Sequence, residues 1–297
     1  MTIIWGSNFS VIKSAFRELD PQAFNAVRML VASLAFLVVM AGARWLSTGT
    51  PGGTFYSPAR VTGREWVQLF VLGLVGHVLY QLCFIGGLAR TSVANSSLML
   101  AVTPVLIAAI SAALGHERIG RAHWMGALVS AAGIYLVVGK GFRLGGPGLI
   151  GDLLMFGAVA CWAIYTLGTR PLMERHSPVA VTGLSFALGT LVYLPLVWPH
   201  IRAVDWSRVS GWTLGLSIYS ALFALCVAYT IWYVAVRQIG SARTSAYSNL
   251  IPVVAMASAA LFLGEPLEWR KVIGAAAVLA GVALTRTGSQ ATVPAEE

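Results

Sequence analysis

His77, Tyr80, Gln81 and Phe84 recur at i, i+3, i+4 and i+7 inside an apolar run. That spacing sets an imidazole, a phenol, an amide and a phenyl ring on one face of a helix. Against lipid these groups would be costly, so the face turns toward a bundle interior or a wet cavity. The alternative is that they act as hydrogen-bonding glue between helices. Trp162, Tyr165, Thr166 and Thr169 make a second such face, and Trp5, Asn8, Phe9 and Ile12 a third. Trp162 sits too deep in its run for an interfacial belt, and its indole N–H calls for a protein or ligand partner. Tyr229 and Trp232 share a fourth face and match Gln81 and Phe84 at an offset of 148, although Trp232, near a helix end, reads more readily as an interfacial anchor. The chemistry on offer is stacking, hydrogen bonding and, at His77, a proton acceptor that titrates near neutral pH.

Small polar residues fill two other runs: Asn95, Ser96, Ser97 and Thr103, then Thr244, Ser245, Ser248 and Asn249. Close backbone packing accounts for most of them. Met99 and Tyr247, which correspond at 247 − 99 = 148, are the larger members and are expected to project into a cavity. The candidate substrate-binding set is therefore Asn8, His77, Tyr80, Gln81, Ser97, Met99, Trp162, Tyr165, Tyr229 and Tyr247. Arg28 is the one basic residue well inside an apolar run. It is expected to snorkel to the head groups, the other reading being that it holds a substrate carboxylate. Glu117 and Glu265 sit in turns ahead of helices and suit a structural, dipole-opposing role.

The elements that must position these residues are apolar helices. Of 297 residues, 57% are hydrophobic and 10% charged, against about 25% charged in a soluble domain. Charges fall between runs of roughly 20 apolar residues, the length that spans a bilayer core. Ten segments are expected, near 1–17, 21–43, 65–89, 91–114, 120–140, 148–170, 178–199, 210–236, 238–263 and 268–286. Residues 44–65 read as a flexible loop and 287–297 as a disordered tail. No separable signal peptide is expected ahead of the first segment.

The net charge of +9 is scattered through short loops with no basic run, which excludes nucleic acid and suits lipid head groups. Cys83, Cys161 and Cys226 lie within apolar runs and form neither a disulfide frame nor a metal motif. No HExxH, GxSxG or paired intramembrane aspartate is present, so no catalytic residue, metal ligand or cofactor is expected. A non-transporting membrane scaffold or sensor would not need polar faces converging from both halves.

The stretch Pro104–Gly133 is echoed by Pro252–Gly281 at a constant offset of 148, and Trp5 and Pro21 are echoed by Trp162 and Pro178 at 157. The fold expected is an all-α membrane protein of two repeats, residues 1–145 and 146–287, ahead of a tail, 288–297. An odd count of five helices per repeat inverts one repeat against the other, an arrangement used by secondary transporters. The Lys/Arg balance barely separates the two orientations. Arg44, Arg60 and Arg64 tip it toward both termini inside.

Three motifs carry a resemblance: Trp5-Gly6-Ser7-Asn8-Phe9, then Thr91-Ser92-Val93-Ala94-Asn95 ahead of Thr103-Pro104, and Leu263-Gly264-Glu265. The chain resembles the EamA-type branch of the drug/metabolite transporter superfamily over nearly its whole length. It departs slightly at Gly115-His116-Glu117. Its aromatic-rich segments are most similar to exporters of aromatic amino acids in that branch. The resemblance implies a ten-helix protein of the bacterial inner membrane that exports small metabolites, and a monomer is expected. Its substrates would be neutral or zwitterionic: aromatic amino acids, Met and Thr, or drug-like amphiphiles. The sparse intramembrane charge favours facilitated diffusion, with proton coupling through His77 as the alternative.

Overall fold

The computed structural model describes residues 1–46, 53–57, 59–90, 96, 99–100, 102–115, 118–138, 149–263, 269–287 and 289–290. It is an all-α bundle. The main helices are α1 (Thr2–Ala15), α2 (Pro21–Leu46), α3 (Gly63–Arg90), α4 (Thr103–Ala113), α5 (Arg121–Val138) and α6 (Leu149–Gly168). They are followed by α7 (Pro178–Leu196), α8 (Gly211–Ile239), α9 (Ser241–Ala246), α10 (Ile251–Leu263) and α11 (Trp269–Thr287). Among the described residues, α2, α3, α6, α7 and α8 are long and apolar enough to cross a membrane.

Polar residues at the junctions start these helices. At α3, the Glu65 N–H donates to Thr62 Oγ1 at 3.3 Å while the Thr62 N–H donates to the Glu65 carboxylate at 2.7 Å, a reciprocal capping box. Ser177 and Ser210 accept from the N–H groups of Ala180 and Thr213 and so cap α7 and α8. Gly240, at φ 87°, ends α8 and turns the chain directly into α9, and the segment expected to run unbroken over 238–263 is divided by a 3-10 stretch, Tyr247–Leu250, between α9 and α10.

α2 shows how the apolar faces divide. Met29, Ala32, Ser33 and Phe36 are buried, whereas Leu30, Leu34, Leu37 and Val38 are exposed. The exposed stripe is the lipid face, and Trp66, Trp198, Trp206 and Trp212 are exposed beside helix ends, where amphipathic rings favour the interface.

The offsets seen in the sequence reappear as geometry. α3 and α8 each contain a π-helical stretch, Leu74–Leu79 and Ser220–Val227, and adding 148 to the first gives 222–227. Residues related by the offsets also touch each other. The Trp5 and Trp162 rings are 5.8 Å apart, Ser33 Oγ donates to Thr190 Oγ1 at 2.7 Å, and Ser130 Oγ donates to the Val278 carbonyl at 3.4 Å. α5 and α11 cross with Gly126 against Gly281 and Gly133 against Gly274, an antiparallel pairing that repeats itself when the halves are exchanged. A Cβ at Gly126 would come within 2.5 Å of the Gly281 carbonyl oxygen, so glycine is required at this crossing.

The region read as a flexible loop is anchored where it is described. The Val179 N–H donates to Thr54 O at 3.3 Å, and Ser57 Oγ lies 3.2 Å from both Arg175 O and His176 Nδ1. Satisfying the first N–H groups of α7 and the polar 169–177 turn draws the loop in. Ser289–Gln290, expected in a disordered tail, pairs with Arg118–Ile119 as a two-residue antiparallel ladder.

Candidate functional site

A pocket of about 680 Å³, counted out to its mouth, lies where α1, α3, α6 and α8 converge. Three indoles form its centre. Trp5 stands edge-on to Trp162, and the Trp232 ring lies 5.5 Å from each of them. Tyr229 is edge-on to Trp162 at 5.1 Å, Tyr80 lies 5.3 Å from Trp162, and Tyr80 stacks on Phe84 at 5.6 Å. Such contacts hold rings at fixed angles and leave π faces and ring edges toward the space between them.

The polar equipment is sparse. Asn8 Oδ1 accepts from Ser220 Oγ at 2.6 Å, and Trp5 Nε1 donates to the Ala224 carbonyl at 2.9 Å. The Ala224 carbonyl is reachable because Ser220–Val227 is π-helical, a geometry that frees backbone groups from the α ladder. Gln81 Oε1, Tyr229 Oη and Trp232 Nε1 are buried without a protein hydrogen-bond partner. Such groups are costly to leave empty-handed.

Arg28 also lines the pocket and is 2% exposed. The expectation that it snorkels to the head groups is therefore corrected. Its Nη1 donates to Asn25 Oδ1 at 2.9 Å, and its guanidinium lies 5.4 Å from the Phe24 ring centroid. Asn25 Nδ2 donates in turn to Tyr193 Oη at 3.0 Å, and Tyr193 donates to Gln22 Oε1 at 2.5 Å. This chain of bonds holds the guanidinium inside the bundle against its tendency to reach water.

The candidate residues distribute over two layers. Asn8, Tyr80, Gln81, Trp162 and Tyr229 line the pocket. His77 and Tyr165 are fully buried one layer behind it. The His77 ring lies 4.6 Å from Tyr165, 4.4 Å from Phe186 and 6.1 Å from Tyr229, and Ser185 Oγ lies 2.7 Å from Tyr165 Oη and 3.4 Å from His77 Nε2. Met99 packs against a neighbouring apolar cluster, and its chain neighbour Leu100 reaches the pocket instead. Tyr247 packs near Ile134 and Val278, away from the pocket, where the adjacent Ser248 takes a place in the wall. Asn95, Ser97, Glu117 and Glu265 lie outside the described residues. Trp5, Phe9, Arg28, Phe84 and Trp232 complete the aromatic wall and its charge. The offset of 148 that pairs Trp232 with Phe84 was the signal for Trp232; no signal in the sequence separated a buried Arg28 from a snorkelling one.

Polar clusters stand at both ends of α7. Beyond its C-terminus, the Ser210 N–H donates to Glu18 Oε2 at 2.9 Å, and His200 Nδ1 lies 3.1 Å from Asp20 Oδ1. Hydrogen bonds from the Ser210 side chain and backbone hold the Glu18 carboxyl below its ordinary pKa. At its N-terminus, Glu65 Oε1 accepts from Arg175 Nη1 at 2.9 Å and lies 3.2 Å from His176 Nε2. These pairs tie the connections of one half of the chain to those of the other.

An aromatic cavity at the meeting of two related halves, within a bundle of membrane-spanning helices, defines a multi-pass membrane protein of the transporter class. Residues 1–139 and 149–287 each match the EamA-like transporter family, and the chain belongs to that family. An uncharacterized transporter of Archaeoglobus fulgidus is 28% identical over 288 residues, covering 95% of this chain and 93% of that one. YetK of Bacillus subtilis, an uncharacterized transporter, is 26% identical over 95% of this chain and 83% of its own length. A probable terminal-alkyne amino-acid exporter of Streptantibioticus cattleyicolor is 25% identical over 95% of this chain and 89% of its own. A solved crystal structure superposes with a TM-score of 0.77 at 19% identity, covering 96% of this chain and 94% of that one, which shows a shared fold.

Proposed function

We propose that this protein exports amino acids, the aromatic ones first and Met- and Thr-like neutral ones with them, by facilitated diffusion through alternating access. The observation that carries the reading is the pocket of Trp5, Trp162, Trp232, Tyr80 and Tyr229, built from both halves of the chain. Indole and phenol walls favour flat or apolar side chains and select broadly. The relative from Streptantibioticus cattleyicolor, a probable terminal-alkyne amino-acid exporter, agrees with this reading.

The alternating motion would come from two inverted five-helix repeats, ten spans in all, rocking about the pocket with both termini in the cytoplasm. The contacts between offset-related residues and the antiparallel α5–α11 crossing support that arrangement. The paired π-helical stretches would serve as the bending points. The clusters around Glu18 and Glu65 would open and close in alternation.

His77, buried against Tyr165 and Tyr229 with an unpartnered Nδ1, favours a second reading in which export is coupled to protons. Uptake of labelled Phe, Trp, Met and Thr into proteoliposomes, with and without a pH gradient, separates the two. Uptake without a gradient supports facilitated diffusion. Uptake that needs the gradient and is lost in His77→Leu supports coupling. Failure of all four solutes to enter under either condition removes the amino-acid reading.

A further inference from the structure

We infer that Arg28 is a carboxylate anchor and that the pocket selects apolar monocarboxylates, the α-ammonium group of an amino acid being tolerated rather than required. The inference rests on the pocket being the transport site. Four observations carry it.

First, the charge inventory of the wall is one-sided. Among the described lining residues Arg28 is the only ionisable group of full charge, and no described carboxylate pairs with it. A guanidinium stays protonated in any protein environment, so the pocket holds a fixed positive charge. A charge buried without a counter-ion is unfavourable, and a ligand carboxylate supplies the missing partner.

Second, the guanidinium is pre-set. Asn25 holds one Nη1 donor, Phe24 lies beside the cation, and the Tyr193–Gln22 pair holds Asn25. Nε is left without a hydrogen bond, fully buried. The planar fork matches a carboxylate through two parallel bonds, a geometry that an ammonium cannot reproduce.

Third, the remaining unpartnered polar atoms lean the same way. Trp232 Nε1 is a donor, and Tyr229 Oη can donate. Gln81 Oε1 is the one buried, unpartnered amide oxygen among the described wall residues, since Asn8 Oδ1 already accepts from Ser220, and the Tyr229 hydroxyl can accept as well as donate. An ammonium would find that amide oxygen and the π faces of the indoles, worth less than a full counter-charge, and would feel Arg28 as a like charge.

Fourth, the position is asymmetric. Adding the offset of 157 to Arg28 gives Ser185, whose hydroxyl meets Tyr165 Oη and the Val181 carbonyl and does not line this pocket.

The test is binding to the purified full-length protein, read by quenching of the pocket tryptophans, with L-phenylalanine, 3-phenylpropionate and 2-phenylethylamine. The three ligands share the ring and differ only in charge. The acid is expected to bind within about tenfold of phenylalanine, and the amine to bind about 10- to 100-fold more weakly than either. Arg28→Lys keeps the charge and loses the fork, so it should weaken both carboxylates about tenfold. Arg28→Met should erase the preference for acid over amine, and retained binding of the amine in that variant reports that the protein is still folded. Asn25→Ala, which frees the guanidinium, should weaken the carboxylates and leave the amine unchanged.

Equal binding of acid and amine to the native protein, or an unchanged acid-to-amine ratio in Arg28→Lys and Arg28→Met, overturns the inference. If phenylalanine enters proteoliposomes while 3-phenylpropionate neither binds nor competes, the anchor falls and the amino-acid reading stands. If 3-phenylpropionate binds through Arg28 while none of the amino acids enters, the anchor stands and the amino-acid reading falls.

Discussion

The third helix of each half follows one plan and carries different chemistry. Leu74–Leu79 in α3 and Ser220–Val227 in α8 are both π-helical at corresponding positions, and both are followed by an α-helical run that walls the pocket. Yet His77, Tyr80, Gln81 and Phe84 in the first half correspond to Leu225, Ala228, Tyr229 and Trp232 in the second. The backbone device is shared because both halves need the same bend and the same freed carbonyls. A single solute bound in the pocket would meet the two halves from different directions and so would call for different side chains from each. Arg28 against Ser185 is the sharpest case: the first half brings a charge to the pocket, and the second keeps a neutral hydroxyl in the layer behind it.

The α5–α11 crossing is where the halves remain most alike, and breaking it should have the largest effect. Gly281→Val places a branched side chain against the Gly126 carbonyl and the Ser130 backbone. Overpacking of this kind should cost about 3 kcal/mol and appear as a lowered thermal unfolding midpoint. The same valine at Gly215, which has open space around it, should leave the midpoint unchanged.

Ser185→Ala probes the divergent side of the comparison. It removes the partner of Tyr165 Oη and should cost about 1 kcal/mol of stability. Uptake of phenylalanine should be unaffected, because Ser185 lies outside the pocket wall. A loss of uptake without a loss of stability would place Ser185 in the transport path and restore symmetry with Arg28.

The smallest effect concerns the connections. The Glu18 pKa is lowered in the folded protein by its bonds to Ser210. A carboxylate with a depressed pKa contributes stability that is present above its unfolded value and is lost as pH falls through the folded one. The native protein should therefore lose a small increment of stability on acidification below about pH 4, and Glu18→Gln should lose that increment at neutral pH. A pH–stability profile of the variant that overlays the native one would show that this contact is inert.

Helix existence was legible in the sequence because apolar runs of bilayer length have few other uses. The fixed offsets were legible because glycine and proline serve as landmarks at close crossings and helix starts. Five of the candidate residues, Asn8, Tyr80, Gln81, Trp162 and Tyr229, line the pocket. Two of the departures fall where the backbone is not α: His77 lies in the π-helical stretch, and Tyr247 opens a 3-10 stretch, Tyr247–Leu250, whereas Tyr165 lies in regular α6 and is set behind Trp162. Arguments from a period of 3.6 residues hold only where the helix is α. Arg28 departed for another reason. Depth along a helix does not reveal whether a cation faces lipid or protein, and the Asn25–Tyr193–Gln22 chain that retains it is assembled from two distant helices.

Passage of solute through the aromatic pocket between the halves is tested by phenylalanine uptake into proteoliposomes by native protein and by Trp162→Ala, with size-exclusion profiles of both to confirm intact protein. Trp162 touches Trp5, Tyr80, Tyr229 and Trp232 at once, so its removal opens the centre of the pocket. A monodisperse variant with uptake reduced to background is expected. Native-level uptake by Trp162→Ala would contradict it and move the transport path elsewhere in the bundle.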